Sequence, residues 1–155
     1  MRIAVTEVFA CSPETLWAHI AEPEKQKLWM KGLLSNEPTS PGPRGVGSTF
    51  RMRIQEGRKA ADYDGEVTAY DAPRHMGVVL WGGNFPKGMK VRVEYRLTPE
   101  GATTRLDYAC NAEMPNAGLL MKLMGVIFRL FGKLQLRGFM RALRKQVEGQ
   151  TRAAV

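Results

Sequence analysis

The side chains able to do acid–base, nucleophilic or metal chemistry are few and scattered. The chain has two histidines, His19 and His75, and two cysteines, Cys11 and Cys110. A histidine-based triad needs a nucleophile and a carboxylate beside the imidazole, and no GxSxG elbow is present to offer a serine. Both histidines therefore read as structural or surface groups. Two Cys and two His so placed have no metal-ligand spacing and form no disulfide framework. Asp62, Asp64 and Glu66 alternate, which puts three carboxylates on one face of a strand. On the polar side of a sheet that is a solvated surface. The glycines of GVG and GGN lack the spacing that cradles a phosphate. Tyr63, Tyr95 and Tyr108 put phenols on otherwise apolar faces, where each could orient a ligand carbonyl or hydroxyl. The best acid–base pairing on offer is Tyr108 with Arg53 or Glu56, and it is a poor one. No catalytic residue, metal or cofactor is assigned.

The elements that position these groups follow from periodicity. Arg2 to Phe9 alternates as a strand does. Ser12-Pro13-Glu14 then reads as an N-cap, a first-turn proline and a dipole-complementing acid, opening a short helix with Leu16, Trp17 and Ile20 as apolar contacts. Pro23 interrupts it, and a second short helix reads from Glu24 to Lys31. Leu33 to Pro38 is a short strand, and PTSPGPRGVG is the clearest loop. Ser48 to Gln55 places Phe50, Met52 and Ile54 on one face. Tyr63, Gly65, Val67 and Ala69 form the apolar face of the next strand. His75 to Trp81 is apolar on both faces, so its inward side stays open. Met89 to Leu97 alternates strictly, setting Val91, Val93 and Tyr95 against Arg92 and Glu94. Leu106, Tyr108 and Cys110 alternate in the last strand.

Consecutive strands with one polar and one apolar face make an antiparallel meander covered on one side. The cover must be the helical segment from Asn116 to about Glu148, whose apolar set Leu120, Leu123, Met124, Ile127, Phe128, Phe131 and Leu134 recurs at spacings of three and four. On a wheel set by Leu120, the later Leu136, Phe139, Leu143 and Val147 fall out of phase. With Gly132 and Gly138 flanking the change, a bend or break is predicted between Phe131 and Phe139. The rival is a straight helix whose second half packs on a partner chain or a membrane. The fold class is α+β, a curved antiparallel sheet of six to seven strands around a long C-terminal helix, with two short helices between strands 1 and 2.

A chain of 155 residues, 44% hydrophobic and 25% charged, fits one globular domain over residues 1–155. The opening MRIAVTEVFA alternates, so no signal peptide is expected, and no apolar run is long enough for a membrane span. With two lone thiols, a cytoplasmic setting is expected. The net charge of +8 is uneven. Met1 to Ala117 carries 15 Lys+Arg and 14 Asp+Glu, hence +1; Gly118 to Val155 carries 8 Lys+Arg and the single Glu148, hence +7. Lys122, Arg129, Lys133, Arg137 and Arg141, followed by Arg144 and Lys145, make a basic stripe that could meet an anionic membrane surface. Few aromatics interleave with it, so no nucleic-acid partner is expected.

The opening VTEVFACSPETLWAHIAEPEKQKLW, then GVGSTFRM, GEVTAYDAPRHM and the apolar helix studded with Gly and Arg, resemble the START-like or helix-grip superfamily (SRPBCC), of polyketide cyclase/dehydrase and lipid-transfer type. The resemblance spans essentially the whole chain. It implies a cavity between the concave sheet and the long helix, holding a small apolar, lipid-like or polycyclic ligand. The wall expected for it comprises Phe50, Met52, Ile54 and Val67, then Val91, Val93 and Tyr95, then Leu106, Tyr108 and Cys110. The helix adds Leu120, Met124, Ile127 and Phe128. Binding or transport of such a ligand is the expected role. The alternatives are a cyclase/aromatase-type enzyme without metal acting in the same cavity, and a membrane-peripheral protein using the basic helix.

Overall fold

The computed structural model describes residues 2–115 and 118–153; within the final helix, side chains are described for 119, 125 and 132–149. The chain runs β1 (Arg2–Phe9), α1 (Pro13–Ala21), α2 (Pro23–Gln26), β2 (Leu33–Pro38), β3 (Thr49–Glu56), β4 (Lys59–Asp71), β5 (His75–Gly82), β6 (Lys90–Glu100), β7 (Thr103–Glu113) and α3 (Leu119–Ala153). The seven strands form one antiparallel sheet in the order β1-β7-β6-β5-β4-β3-β2. β2 to β7 are thus a meander, and α1 and α2 carry the chain from one edge of the sheet to the other.

Ser12 starts α1 as its N-cap, accepting a hydrogen bond from the Thr15 backbone N–H at 3.2 Å. The helix buries Leu16, Trp17 and Ile20 against the sheet. Buried amides tie α2 to β2: Gln26 Nε2 donates to the Ile20 carbonyl at 2.6 Å, and Asn36 Nδ2 donates to Gln26 Oε1 at 2.8 Å. Trp29 Nε1 donates to the His19 carbonyl at 2.8 Å, which fixes the turn after α2 to α1.

The strand facing follows the alternation. In β6, Val91, Val93, Tyr95 and Leu97 are buried on the concave side while Arg92 is exposed. The convex side carries ion pairs instead: Arg51–Asp64 at 2.9 Å, Arg53–Asp62 at 3.9 Å and Arg92–Glu113 at 3.0 Å. Asp62 and Asp64 are therefore the solvated face expected of them. In β5 the open question resolves by register: Met76 pairs with Tyr95 and Val78 with Val93, so Met76, Val78 and Leu80 face inward.

One strand departs from simple alternation. The β4–β5 register shifts between Val67 and Ala69, a β-bulge that moves the inward position from Ala69 to Tyr70. Ala69 then pairs with Gly77, whose Cβ would press on Thr68 and Glu94 on the convex side. Opposite this region, Gly65 faces Phe50 so closely that a Cβ would overlap the Phe50 ring. Glycine is what lets that ring lie flat across β4.

Of the bend or break predicted in the long helix, the break is absent: α3 is one helical segment from Leu119 to Ala153. The reason is the phase reference. Leu136, Met140, Leu143 and Val147, spaced four, three and four, are buried in the main core with β1, β6, β7 and α1. Leu134, the last member of the set expected to face inward, is 61% exposed. The second half of α3 thus has its own apolar stripe, packed on its own chain. Phe139 joins it edge-on to Trp29, with centroids 6.3 Å apart. A Cβ at Gly138 would meet nothing within 4 Å, so this glycine marks no kink-forcing contact. Arg144 pins the helix to β1: its guanidinium reaches Glu7 at 2.8 Å and Glu148 at 3.1 Å, donates to the Val8 carbonyl at 2.6 Å, and lies over the Phe9 ring. Arg144 is therefore committed within the fold and leaves the basic stripe.

Candidate functional site

The apolar alternation of β3 to β7 converges on the concave face. All ten strand residues expected there are buried or half-buried on that side, and they fall into two clusters. Phe50, Met52 and Val67 pack with Leu33, and Ile54 leans on them. Val91, Val93, Tyr95 and Leu106 belong to the larger core under α3, with Tyr108 and Cys110 against it. Leu120, Met124, Ile127 and Phe128, the helical half of the expected wall, lie outside the described side chains, as do Lys122 and Arg129 of the stripe.

The titratable groups on this face are held neutral. Tyr95 and Tyr108 face each other across β6 and β7, ring edge to ring face at 5.2 Å between centroids. Burial, the largest cause, pushes both phenols well above their usual range, and their mutual proximity adds to the rise at Tyr108. Burial likewise raises the Cys110 thiol, which the Tyr108 hydroxyl partly offsets. An apolar floor with protonated phenols offers hydrogen bonds to a ligand without offering it a charge.

At one end of the sheet, the WGGNFPKG loop closes over the concave face through Tyr63. The Tyr63 hydroxyl donates to Glu56 Oε1, Asn84 Nδ2 donates to Glu56 Oε2 at 2.6 Å, and the Tyr63 and Phe85 rings sit 4.8 Å apart. Burial and the hydrogen bond to Glu56 push the Tyr63 phenol up to about 12. Glu56 is thus spent on the loop, and Arg53 lies on the convex side near Asp62. The Tyr108–Arg53/Glu56 pairing considered from sequence does not form.

Between α1, α2 and the β2–β3 loop, the structure opens a cavity of about 390 Å³. Its inner wall is Trp17, Phe50, Val67 and Tyr70, with Trp17 and Tyr70 edge to face at 5.6 Å. Its rim is Glu22, Ser40, Arg44, Ser48 and Thr49. The rim hydroxyls are occupied in shaping the loop: Ser40 Oγ accepts from the Thr49 backbone N–H at 2.9 Å, and Ser48 Oγ accepts from that of Gly45 at 3.0 Å. Phe50 and Val67 belong to the wall expected from sequence. Trp17 was expected only as a packing residue, and Tyr70 and Arg44 were missed. Tyr70 was hidden by the bulge, which no residue of β4 announces. Arg44 sits in a loop whose composition signals a turn but not which way a side chain points.

Neither histidine takes part. His19 is fully buried in α1, its Nδ1 2.9 Å from the Thr15 carbonyl and its Nε2 without a partner among the described residues. His75 meets Glu94 on the convex face. Cys11 and Cys110 are free thiols, and no group of three or more potential metal ligands occurs among the described residues.

A curved sheet gripping one long C-terminal helix, with a cavity at the mouth of an apolar concave face, defines the helix-grip class. The chain belongs to the family described as polyketide cyclase / dehydrase and lipid transport, whose model matches residues 1–148. Among solved structures, Ara h 8.0201 is similar in fold at 15% identity, with 96% of this chain and 98% of that one covered and a TM-score of 0.74. TTHA0849 from Thermus thermophilus matches at 15% identity over 97% and 99% of the chains, TM-score 0.73. CV1439 from Chromobacterium violaceum matches at 14% over 95% and 96%, TM-score 0.74. At such identities the likeness is one of fold. No curated protein sequence matches this chain significantly.

Proposed function

We propose that this protein binds and carries a small hydrophobic molecule, lipid-like or polycyclic, against the concave face of the sheet, at the cavity bounded by α1, α2 and the β2–β3 loop. The observation that carries this reading is the chemistry of the wall. Trp17, Phe50, Val67 and Tyr70 line open space, and the titratable groups deeper on the face, Tyr95, Tyr108 and Cys110, are all held protonated. A cyclase or aromatase acting in the same cavity would need an acid or base poised near the working pH. Groups pushed away from neutrality favour binding over that alternative. The free thiols fit a cytoplasmic location, and no helix among the described residues is long and apolar enough to cross a membrane. Native mass spectrometry of gently purified protein tests the reading, backed by titration with the neutral dye N-phenylnaphthylamine. A co-purifying apolar mass, or dye binding near micromolar, about 8 kcal/mol, supports it. The absence of both a bound mass and dye binding would contradict it.

A second reading rests on α3. Lys133, Arg137, Arg141 and Lys145 are exposed at intervals of four, beside the exposed Leu134, and none meets an acid among the described residues. Arginines on the sheet, by contrast, are mostly paired. The row, which Lys122 and Arg129 would extend, suits the surface of an anionic bilayer, where a carrier would load or release its cargo. Co-sedimentation with phosphatidylserine vesicles but not phosphatidylcholine vesicles is the expected outcome; equal sedimentation with both would refute it.

A further inference from the structure

The rim of the cavity carries one cation. Arg44 projects from the β2–β3 loop across the mouth, and its Nη1 donates to the carbonyl of Ala21, the last residue of α1. That bond uses one of five guanidinium N–H donors. No carboxylate among the described residues lies within ion-pair distance of Arg44. Arg51, Arg92, Arg105 and Arg144 each have such a partner. The one acid on the rim, Glu22, is engaged by Lys25 at 3.2 Å. The mouth therefore pairs an apolar wall of Trp17, Phe50, Val67 and Tyr70 with a half-buried, anion-free guanidinium fixed at its edge.

We propose that the ligand of this cavity is amphipathic and anionic, a carboxylate on an apolar body, with its acid end held by Arg44 and its body against Trp17, Phe50, Val67 and Tyr70. The inference deepens the binding function proposed above and rests on it. A planar guanidinium matches a carboxylate by two parallel N–H···O bonds, which a neutral hydroxyl cannot reproduce. The anchor to the Ala21 carbonyl holds the fork in place before the ligand arrives, so less side-chain freedom is lost on binding. The bond from Arg44 to α1 also makes the β2–β3 loop a strap across the mouth, which a bound carboxylate would tighten.

Calorimetric titration of the intact protein with decanoate and with decan-1-ol, two probes sharing one apolar chain, tests this. Decanoate is expected to bind at least tenfold more tightly, with the preference shrinking as salt is raised. Arg44→Gln is expected to bring the two probes to the same affinity. Arg44→Lys, which keeps the charge but loses the fork, is expected to restore part of the preference. Thermal melts confirm that each variant is folded. If both probes bind the native protein equally, or Arg44→Gln keeps the preference, Arg44 is only a cap on α1 and the inference is overturned while the binding function stands. If neither probe binds, the binding function fails and the inference fails with it.

Discussion

Leu143→Ala is the sharpest perturbation of the grip between helix and sheet. Leu143 is fully buried among β1, α1 and the core strands. Truncation removes three carbons; at about 0.8 kcal/mol each the transfer loss is roughly 2.4 kcal/mol. The cavity left in a close-packed site raises the expected cost to about 3–5 kcal/mol. The internal control is Leu134→Ala, nine residues earlier on the same helix but 61% exposed. Its change should stay within about 0.5 kcal/mol, and alanine's helix propensity offsets part of any loss. Urea unfolding followed by far-UV circular dichroism separates the two. With a slope of about 2 kcal/mol/M, Leu143→Ala should lower the midpoint by roughly 1.5–2.5 M and Leu134→Ala by almost nothing. Equal losses, or a larger loss at Leu134, would show that the first-half stripe and not the second holds α3 to the sheet, and would refute the helix phase described above.

Further outcomes are expected. Gly138→Ala should raise stability by about 1 kcal/mol in the same assay, since its Cβ would meet nothing within 4 Å and the helix is continuous there; a loss would reveal a need for flexibility at that point. Gly65→Ala should cost about 1–3 kcal/mol by forcing the Phe50 ring aside, and should weaken dye binding because Phe50 lines the cavity. In alkali, stability should fall in stages. Burial, with the Glu148 charge adding to it, pushes the Cys11 thiol up to about 11 from 9.0, and burial pushes the Tyr63 phenol up to about 12 from 10.0. In both cases the native state holds the proton longer than the unfolded chain. The stabilisation is whole below pH 9 and is lost as the pH rises through about 11 and then about 12. Tyr63→Phe should make this second fall shallower, the buried Tyr95 and Tyr108 supplying the rest, and an unchanged alkaline melting profile would remove Tyr63 as a contributor.

The sheet was legible because its information is local. Strict alternation in Met89–Leu97 and in Leu106–Cys110 assigns each side chain to a face, and the faces fall as the pattern requires. β5 was illegible for the same reason. Val78 and Val79 are both apolar, Val79 being buried on the convex side, and only pairing with β4 and β6 tells them apart. The bulge after Val67 is a property of two strands together, so Ala69 and Tyr70 exchange roles without any local signal. In α3 the periodicity was real, but of the set read from Leu120 only Leu134 lies among the described side chains, and it is exposed. A wheel set by Leu120 cannot say which of two stripes meets the sheet, and burial of Leu136, Met140, Leu143 and Val147 decides it. The concave wall could be read from its apolar rows, whereas Arg44 could not, because a loop side chain has no period to extrapolate.

The most direct test of ligand binding at the concave face is a methyl NMR titration with N-phenylnaphthylamine. The expected result is saturable shifts of the Val67 and Met52 methyls, one on the cavity wall and the other packed beside it, while the 71% exposed Val46 methyls stay still. Shifts confined to Val46 and other surface methyls, with Val67 and Met52 unmoved at saturating dye, would contradict the account.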